Sequence, residues 1–461
     1  MKETLISFHQ NLRDKGFFRA IYLISLLAFA VGLLYSRAIL SISQLALAAA
    51  FILEGDLKEK ARRLVNNKIA LLLMGIYFLH VLGLIFTEDF TYAWHDLRIK
   101  APLLFYPVVF ACTNFLSRDI FRKFNAVFIL LVFSRTLAIA FYYRMNMHHI
   151  QDMRDAFFLI SHIRFSLIIC LSIMLSIYQF LHSSQKVRLI YILTCLWFFG
   201  FMLYFEMITG IVVSLLCFPV MVFHLLKTSR KADRLTKLVL SIAGVFVVVL
   251  TVHITSLILT YSTQNKDKLV DDIEYTTNHR AYQQPYQWAN GMLMKENGSL
   301  IYQNICFKEL EEQWSLRSAV RLNESEFVLT ETGTILIRFL ASKSLTKDSA
   351  GVSSLTDLEI KAVEAGITNV NQIGVSGYKV RIHNIVWELD NYFSGADFNG
   401  HSSAMRLEFW KTGLHIIRGN FWFGVGTGDQ ESAFQEQYDK DDSNLIYSDF
   451  LQSVLQCLIF V

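Results

Sequence analysis

Charge is scarce in this chain. Of its 461 residues only 18% are Asp, Glu, Lys or Arg, against about 25% in a soluble domain. Proline is scarcer still, with four in the whole length, which excludes a collagen-like, linker-rich or disordered chain. The six cysteines stand at 112, 170, 195, 217, 306 and 457. Four fall inside apolar runs and none is spaced for a metal knuckle, so no metal site and no disulfide framework is expected; they read as small buried hydrophobes. A strong excess of one sign is missing too. The net charge is +4, and without a basic tract interleaved with aromatics it argues against nucleic acid as a partner. What the chain has is apolar: 53% hydrophobic residues, 38 Phe and a mean hydropathy of +0.38. An ordinary cytosolic enzyme is excluded.

A membrane helix needs about 20 mainly apolar residues to cross a hydrocarbon layer of about 30 Å. Candidate spans fall near 19–36, 38–54, 69–87, 101–117, 124–143, 164–182, 189–205, 208–226 and 238–260, and a tenth begins near 446 and is incomplete at Val461. The first run lacks a small-residue cleavage site and a second follows almost at once, so it reads as a retained span. The fold class expected is an all-α integral membrane protein of about ten transmembrane helices with a large, mainly helical loop. Residues 1–260 form the bundle, 261–445 the loop domain and 446–461 the start of a further span.

Basic residues set the orientation. Lys58, Lys60, Arg62, Arg63 and Lys68 follow the second run, Arg118, Arg122 and Lys123 the fourth, Lys186 and Arg188 the sixth, and Lys227, Arg230, Lys231, Arg234 and Lys237 the eighth. Under the positive-inside rule these face the cytoplasm with the N-terminus. The segment 261–445 is then expected outside.

Within that segment, Ser354–Ala365 reads as a helix from its Ser-Leu-Thr-Asp start, with Glu359 in the first turns. A helix-like patch covers 305–320, and Phe327–Phe339 is a β-branched run. His401-Ser402-Ser403 precedes Ala404–Arg418, where apolar spacings of three, four and seven make an amphipathic helix capped by Ser402 or Ser403. Its Trp410, Leu414 and Ile417 stripe suits a membrane interface. The run Gly424-Val425-Gly426-Thr427-Gly428 has the alternate glycines of a phosphate-cradling loop. Neither a βαβ unit nor a GK[ST] ending accompanies it, so it reads as a tight turn between two interfacial helices.

Ionisable groups near a membrane are costly unless they face a cavity or a partner. On the expected outer side stand Arg37, Arg98, Lys100, Arg144, His148, His149, Arg154, His162 and Arg164. Such charge runs against the usual bias. Together with Arg406, one turn into the amphipathic helix, it points to a cluster receiving an anion at the outer leaflet, which a diphosphate-linked lipid fits. No acidic residue lies deep in a span and no repeated halves with broken helices are visible, which counts against an exporter.

This arrangement resembles the O-antigen ligase / O-antigen polymerase family of bacterial envelope proteins. The likeness rests on the late outward loop and on Ser402-Ser403-Ala404-Met405-Arg406-Leu407-Glu408-Phe409-Trp410 followed by the glycine run. It rests also on Ser161-His162-Ile163-Arg164-Phe165-Ser166, Thr209-Gly210, Ser36–Ser41 and Leu97–Pro107. The resemblance implies an inverting, metal-independent glycosyl transfer enzyme of the bacterial inner membrane that uses no cofactor. It would move a glycan from undecaprenyl diphosphate to a lipid A-core or other glycan acceptor at the periplasmic face. Membrane lipid would be its further partner. By the same resemblance Arg406 grips the diphosphate, while His162 and Arg164, with Arg98, Lys100 and Arg37, line the cavity. Where the family carries a base histidine after the loop this chain has Tyr447, which leaves His401 as the alternative base. The family's remaining helices do not follow, so a truncated copy is expected. The alternatives are a polymerase joining lipid-linked repeats, a polysaccharide exporter and an inactive copy.

Overall fold

The computed structural model describes residues 15–147, 153–157, 159–228, 234–264, 268, 271–285, 293–322, 331–375, 377–397, 399–441 and 443. The outward histidines His148 and His149, Tyr447 and the run from 446 onward lie outside them. The described residues are mostly helical with very little sheet, and the chain divides into two compact units, residues 1–202, 209–218 and 414–437, and residues 203–208, 219–413 and 438–461.

The first unit is built from α1 (Lys15–Tyr35), α2 (Arg37–Leu53), α3 (Leu57–Val65), α4 (Lys68–Leu82, extended by a 3-10 turn Gly83–Phe86), α5 (Phe90–Lys100), α6 (Pro102–Cys112), α7 (Arg118–Asn146), α8 (His162–His182) and most of α9 (Gln185–Tyr204). Polar residues at the breaks start these helices. The side chains of Ser36, Asn67 and Ser117 each accept a backbone N–H in the first turn of α2, α4 and α7, pairing donors that an apolar residue would leave without a partner. Gly32 lets α1 and α2 fold back closely: a Cβ there would stand 2.4 Å from the Leu40 nitrogen. Phe18, Tyr22, Leu26, Leu47, Val109 and Phe115 form a buried core between α1, α2 and α6.

Among the described residues six helices are long and apolar enough to cross a membrane, namely 16–35, 68–86, 118–146, 162–182, 185–204 and 244–264; α2 and α3, bent by 110°, make a seventh if they count as one. Their outward faces are apolar, with Leu72 and Ile69 each 73% exposed. Leaving such side chains in water forfeits about 1.5–3 kcal/mol apiece, and a hydrocarbon solvent removes that cost. The protein is a multi-pass membrane protein. The expected count of ten spans is not reached among the described residues. The run at 101–117 is helical only over the 11 residues of α6, about 17 Å at 1.5 Å per residue, because the chain runs extended from Thr113 to Ser117. The run at 208–226 lies in α10 (Ile208–Thr228), which carries Pro219 inside it and whose apolar stretch is Ile208–Met221.

The second unit begins with the later part of α10 and α11 (Arg234–Gln264), and continues as a small globular domain with its own core. A hairpin of β1 (Lys295–Glu296) and β2 (Ser299–Leu300) turns through Asn297-Gly298, both at positive φ (48° and 85°), the backbone that an Asn-Gly pair tolerates best. The helices that follow are α12 (Phe307–Ser315), α13 (Glu331–Ser342), α14 (Ser349–Ser353), α15 (Asp357–Glu364) and α16 (Tyr378–Phe393). The β-branched run is thus helix α13 over its described part: Leu336, Ile337, Phe339 and Leu340 are fully buried against Trp314 and Trp387, and tertiary packing overrides β propensity. Helix α15 begins three residues later than the expected Ser354, which caps the end of α14; its start is a reciprocal capping box between Thr356 and Glu359. Helix α16 packs along α11, with Tyr261 edge-on to His383 at 4.8 Å. Two last helices, α17 (Ser402–Gly419) and α18 (Gln430–Lys440), are shared, 414–437 belonging to the first unit.

Candidate functional site

Within the second unit, α16 and the start of α17 enclose a cavity of about 290 Å³ whose polar lining includes Arg338, Gln372, Asn384, Glu388 and His401. Each of these is held. Arg338 donates from Nε to Glu296 Oε2 at 3.0 Å, Asn369 donates to Glu296 Oε1 at 2.6 Å, and the guanidinium lies 3.8 Å over the Trp387 ring. Glu296 is fully buried, so its charge exists only with that pairing. The His401 ring meets Trp387 edge-on at 5.1 Å. Burial holds the His401 imidazole below its usual value; Glu388 and Asp397 oppose this and Arg338 adds to it. A neutral imidazole is a proton acceptor at neutral pH, and Glu388 is placed to favour the imidazolium formed when it takes one.

Helix α17 starts at Ser402, but neither serine side chain caps it. Its first-turn N–H at Ser403 goes to Glu388 Oε2 at 2.6 Å, and Ser402 Oγ accepts from Arg381 Nη2 at 3.2 Å. A carboxylate from α16 therefore does the capping, favoured by the positive end of the helix dipole. The buried stripe is Ala404, Met405, Glu408, Phe409 and Thr412, with Glu408 accepting from the Tyr392 hydroxyl, while Trp410, Leu414 and Ile417 are exposed. Arg406 is half-buried, five residues beyond His401.

The glycine run lies in the first unit, where it is a clamp and not an anion cradle. Asp429 accepts from the backbone N–H groups of Glu88 and Asp89, both at 2.8 Å. Thr427 Oγ1 donates to the His80 carbonyl at 2.6 Å, and Gly428 N donates to Thr87 Oγ1 at 3.2 Å. The glycines are required by this docking: a Cβ on Gly428 would stand 2.0 Å from the Asp89 oxygen, and one on Gly426 2.7 Å from the Phe86 oxygen. The turn is tight, as expected, and presents Phe421, Trp422 and Phe423 outward, with Phe423 against Phe86 at 5.3 Å.

The remaining expected site residues also belong to the first unit. Lys100 is buried, 1% exposed, and paired with Asp96 at 2.6 Å. Arg98 precedes it by two on α5, so the two side chains leave opposite sides of the helix, and Arg98 is exposed. His162 and Arg164 show the same division at the start of α8: His162 packs edge-on to Phe157 at 4.9 Å and Arg164 is exposed. Arg37 is exposed at the first position of α2. Thr209-Gly210 does not form a turn; it opens α10, where Gly210 gives Ser166 of α8 room to approach.

One intramembrane cation escaped the sequence reading. Arg135, midway along α7, is 4% exposed, with its guanidinium carbon 5.5 Å from the Tyr35 ring centroid. Its signal was plain, a lone Arg in the apolar run 124–143, and such a residue is a site hypothesis by default. Among the described residues no three His, Cys, Asp or Glu side chains gather as a metal site requires. Comparison with known proteins finds no family model, no curated sequence and no solved structure that matches this chain.

Proposed function

We propose that the protein transfers a glycan from undecaprenyl diphosphate to a hydroxyl of a lipid A-core or similar glycan acceptor, at the periplasmic face of the bacterial inner membrane. The observation that carries this reading is the cavity at the head of α17, where His401 faces Glu388, with Arg406 farther along the same helix. In the step proposed, the acceptor oxygen attacks the anomeric carbon as its proton passes to His401. The bond from that carbon to the diphosphate oxygen breaks, with inversion, and the diphosphate leaves with the electron pair.

Charge grows on the leaving group, and Arg406 is the guanidinium proposed to meet it; such stabilisation acts most in the transition state. Lys100, already balanced by Asp96, serves the fold of α5. The multi-pass chain supports the reading by giving a lipid-linked donor access from the bilayer. Purified protein in liposomes, supplied with lipid-diphosphate glycan and a core acceptor, should form product, and Arg406→Ala should abolish it. Undiminished transfer by that variant would remove Arg406 from the site.

A further inference from the structure

We infer that the cavity between α16 and the start of α17 is a binding site for a single uncharged sugar ring. The inference deepens the transfer reading and rests on it only in naming the ring as the acceptor's.

Three properties of the lining select the ligand. The first is charge balance. Arg338 is neutralised by Glu296, and Glu388 lies 3.9 Å from the guanidinium of Arg381. Neither an anionic group nor a cationic one would find an unanswered charge there. The second is hydrogen-bonding capacity left over once the internal bonds are made. Gln372 Nε2 donates to Asn384 Oδ1 at 2.8 Å and is 3.1 Å from His383 Nδ1. Those bonds fix both amides and leave Asn384 Nδ2 as a donor and Gln372 Oε1 as an acceptor. Among the described residues, these two atoms, Arg338 Nη1 and both ring nitrogens of His401 take no hydrogen bond.

A small cavity whose unused groups include donors, acceptors and an imidazole of either kind matches vicinal hydroxyls, each both donor and acceptor. The third property is the apolar remainder, in which Ile367, Val375 and Val380 offer a surface for the C–H face of a ring. A volume of about 290 Å³ stands at the foot of the range of ligand pockets, about 300–1,000 Å³, which suits one ring and not an oligosaccharide. With the ring seated, His401 is the lining group able to accept a proton from one of its hydroxyls.

The test is saturation-transfer NMR on the full chain in nanodiscs. Probes are methyl glycosides of glucose, galactose and N-acetylglucosamine, with glucuronate and glucose 1-phosphate as charged comparisons. Neutral glycosides should receive saturation on ring protons. Asn384→Asp keeps the oxygen that Gln372 bonds, and so the local fold, but loses the donors and adds charge; it should weaken binding about tenfold, the equivalent of one hydrogen bond. The exposed Lys361→Ala should leave binding unchanged. Absent saturation, preferred charged sugars, or equal binding by Asn384→Asp would each overturn the inference. Ring binding without any transfer would overturn the proposed reaction and leave this site standing.

Discussion

Replacing Asp429 by Ala should release the segment 83–89 from the 424–429 turn while leaving the helices intact. The carboxylate receives two backbone N–H groups, from Glu88 and Asp89, each at 2.8 Å. Hydrogen bonds to a charged partner contribute about 1.5–3 kcal/mol apiece. The site is half open to solvent, so the pair is discounted to about 2–3 kcal/mol in total. That corresponds to about a 30- to 150-fold rise in the local opening equilibrium, which amide exchange reads directly. Hydrogen exchange followed by mass spectrometry over 83–92 should therefore accelerate by that factor in Asp429→Ala. Asp429→Asn, able to keep one acceptor, should fall between. Gly428→Ala should be at least as severe, since its Cβ cannot coexist with the Asp89 oxygen 2.0 Å away. Unchanged exchange at Glu88 and Asp89 in Asp429→Ala would refute the clamp.

Other consequences follow from single contacts. Glu296→Gln leaves Arg338 without its buried counter-charge and should cost about 3 kcal/mol, measured as faster pulse proteolysis within 293–413; unaltered proteolysis would show that the pair is dispensable. Burial lowers the His383 imidazole to about 4 from an ordinary value of about 6.5. Since the folded form binds the proton less readily, its contribution is present above about pH 6.5 and is lost as pH falls toward 4, up to about 2–3 kcal/mol. His383→Gln should flatten that acid limb of the stability curve. Trp422→Cys bearing a nitroxide should collide more with oxygen than with a water-soluble nickel chelate when the protein is in a bilayer; the opposite order would take 421–423 out of the membrane interface.

Local signals were legible and long-range ones were not. The apolar runs at 124–143 and 164–182 were found almost to their ends because length and hydropathy alone specify a span, and α7 and α8 merely extend them. Helix α15 was readable because its start signals, including Thr356 and Glu359 of the capping box, lie within six residues, although its first residue is Asp357 and not Ser354. The cap of α17 was misread because its acceptor, Glu388, lies on another helix. The glycine run illustrates the same limit: its tightness showed in the sequence, but its reason, the backbone of 86–89, lies more than 330 residues away. Hydropathy also overstated the run at 101–117, where the extended chain from Thr113 ends α6 early. His401 could be named from the sequence, whereas the cavity it shares with Arg338, Gln372, Asn384 and Glu388 could not, since those residues converge only on folding.

The central claim is that this chain moves a glycan with Arg406 and His401 as working groups. The most direct measurement is the initial rate of transfer in liposomes, across pH, for the wild type, Arg406→Ala and His401→Ala side by side. The account predicts product from the wild type alone at full rate, none from Arg406→Ala, and a loss of about 10²–10⁴-fold in His401→Ala. It further predicts that the wild-type acid limb, where a histidine base becomes protonated, is missing from the His401→Ala profile. A wild type that is folded and transfers nothing, or variants that match it at every pH, would contradict the claim.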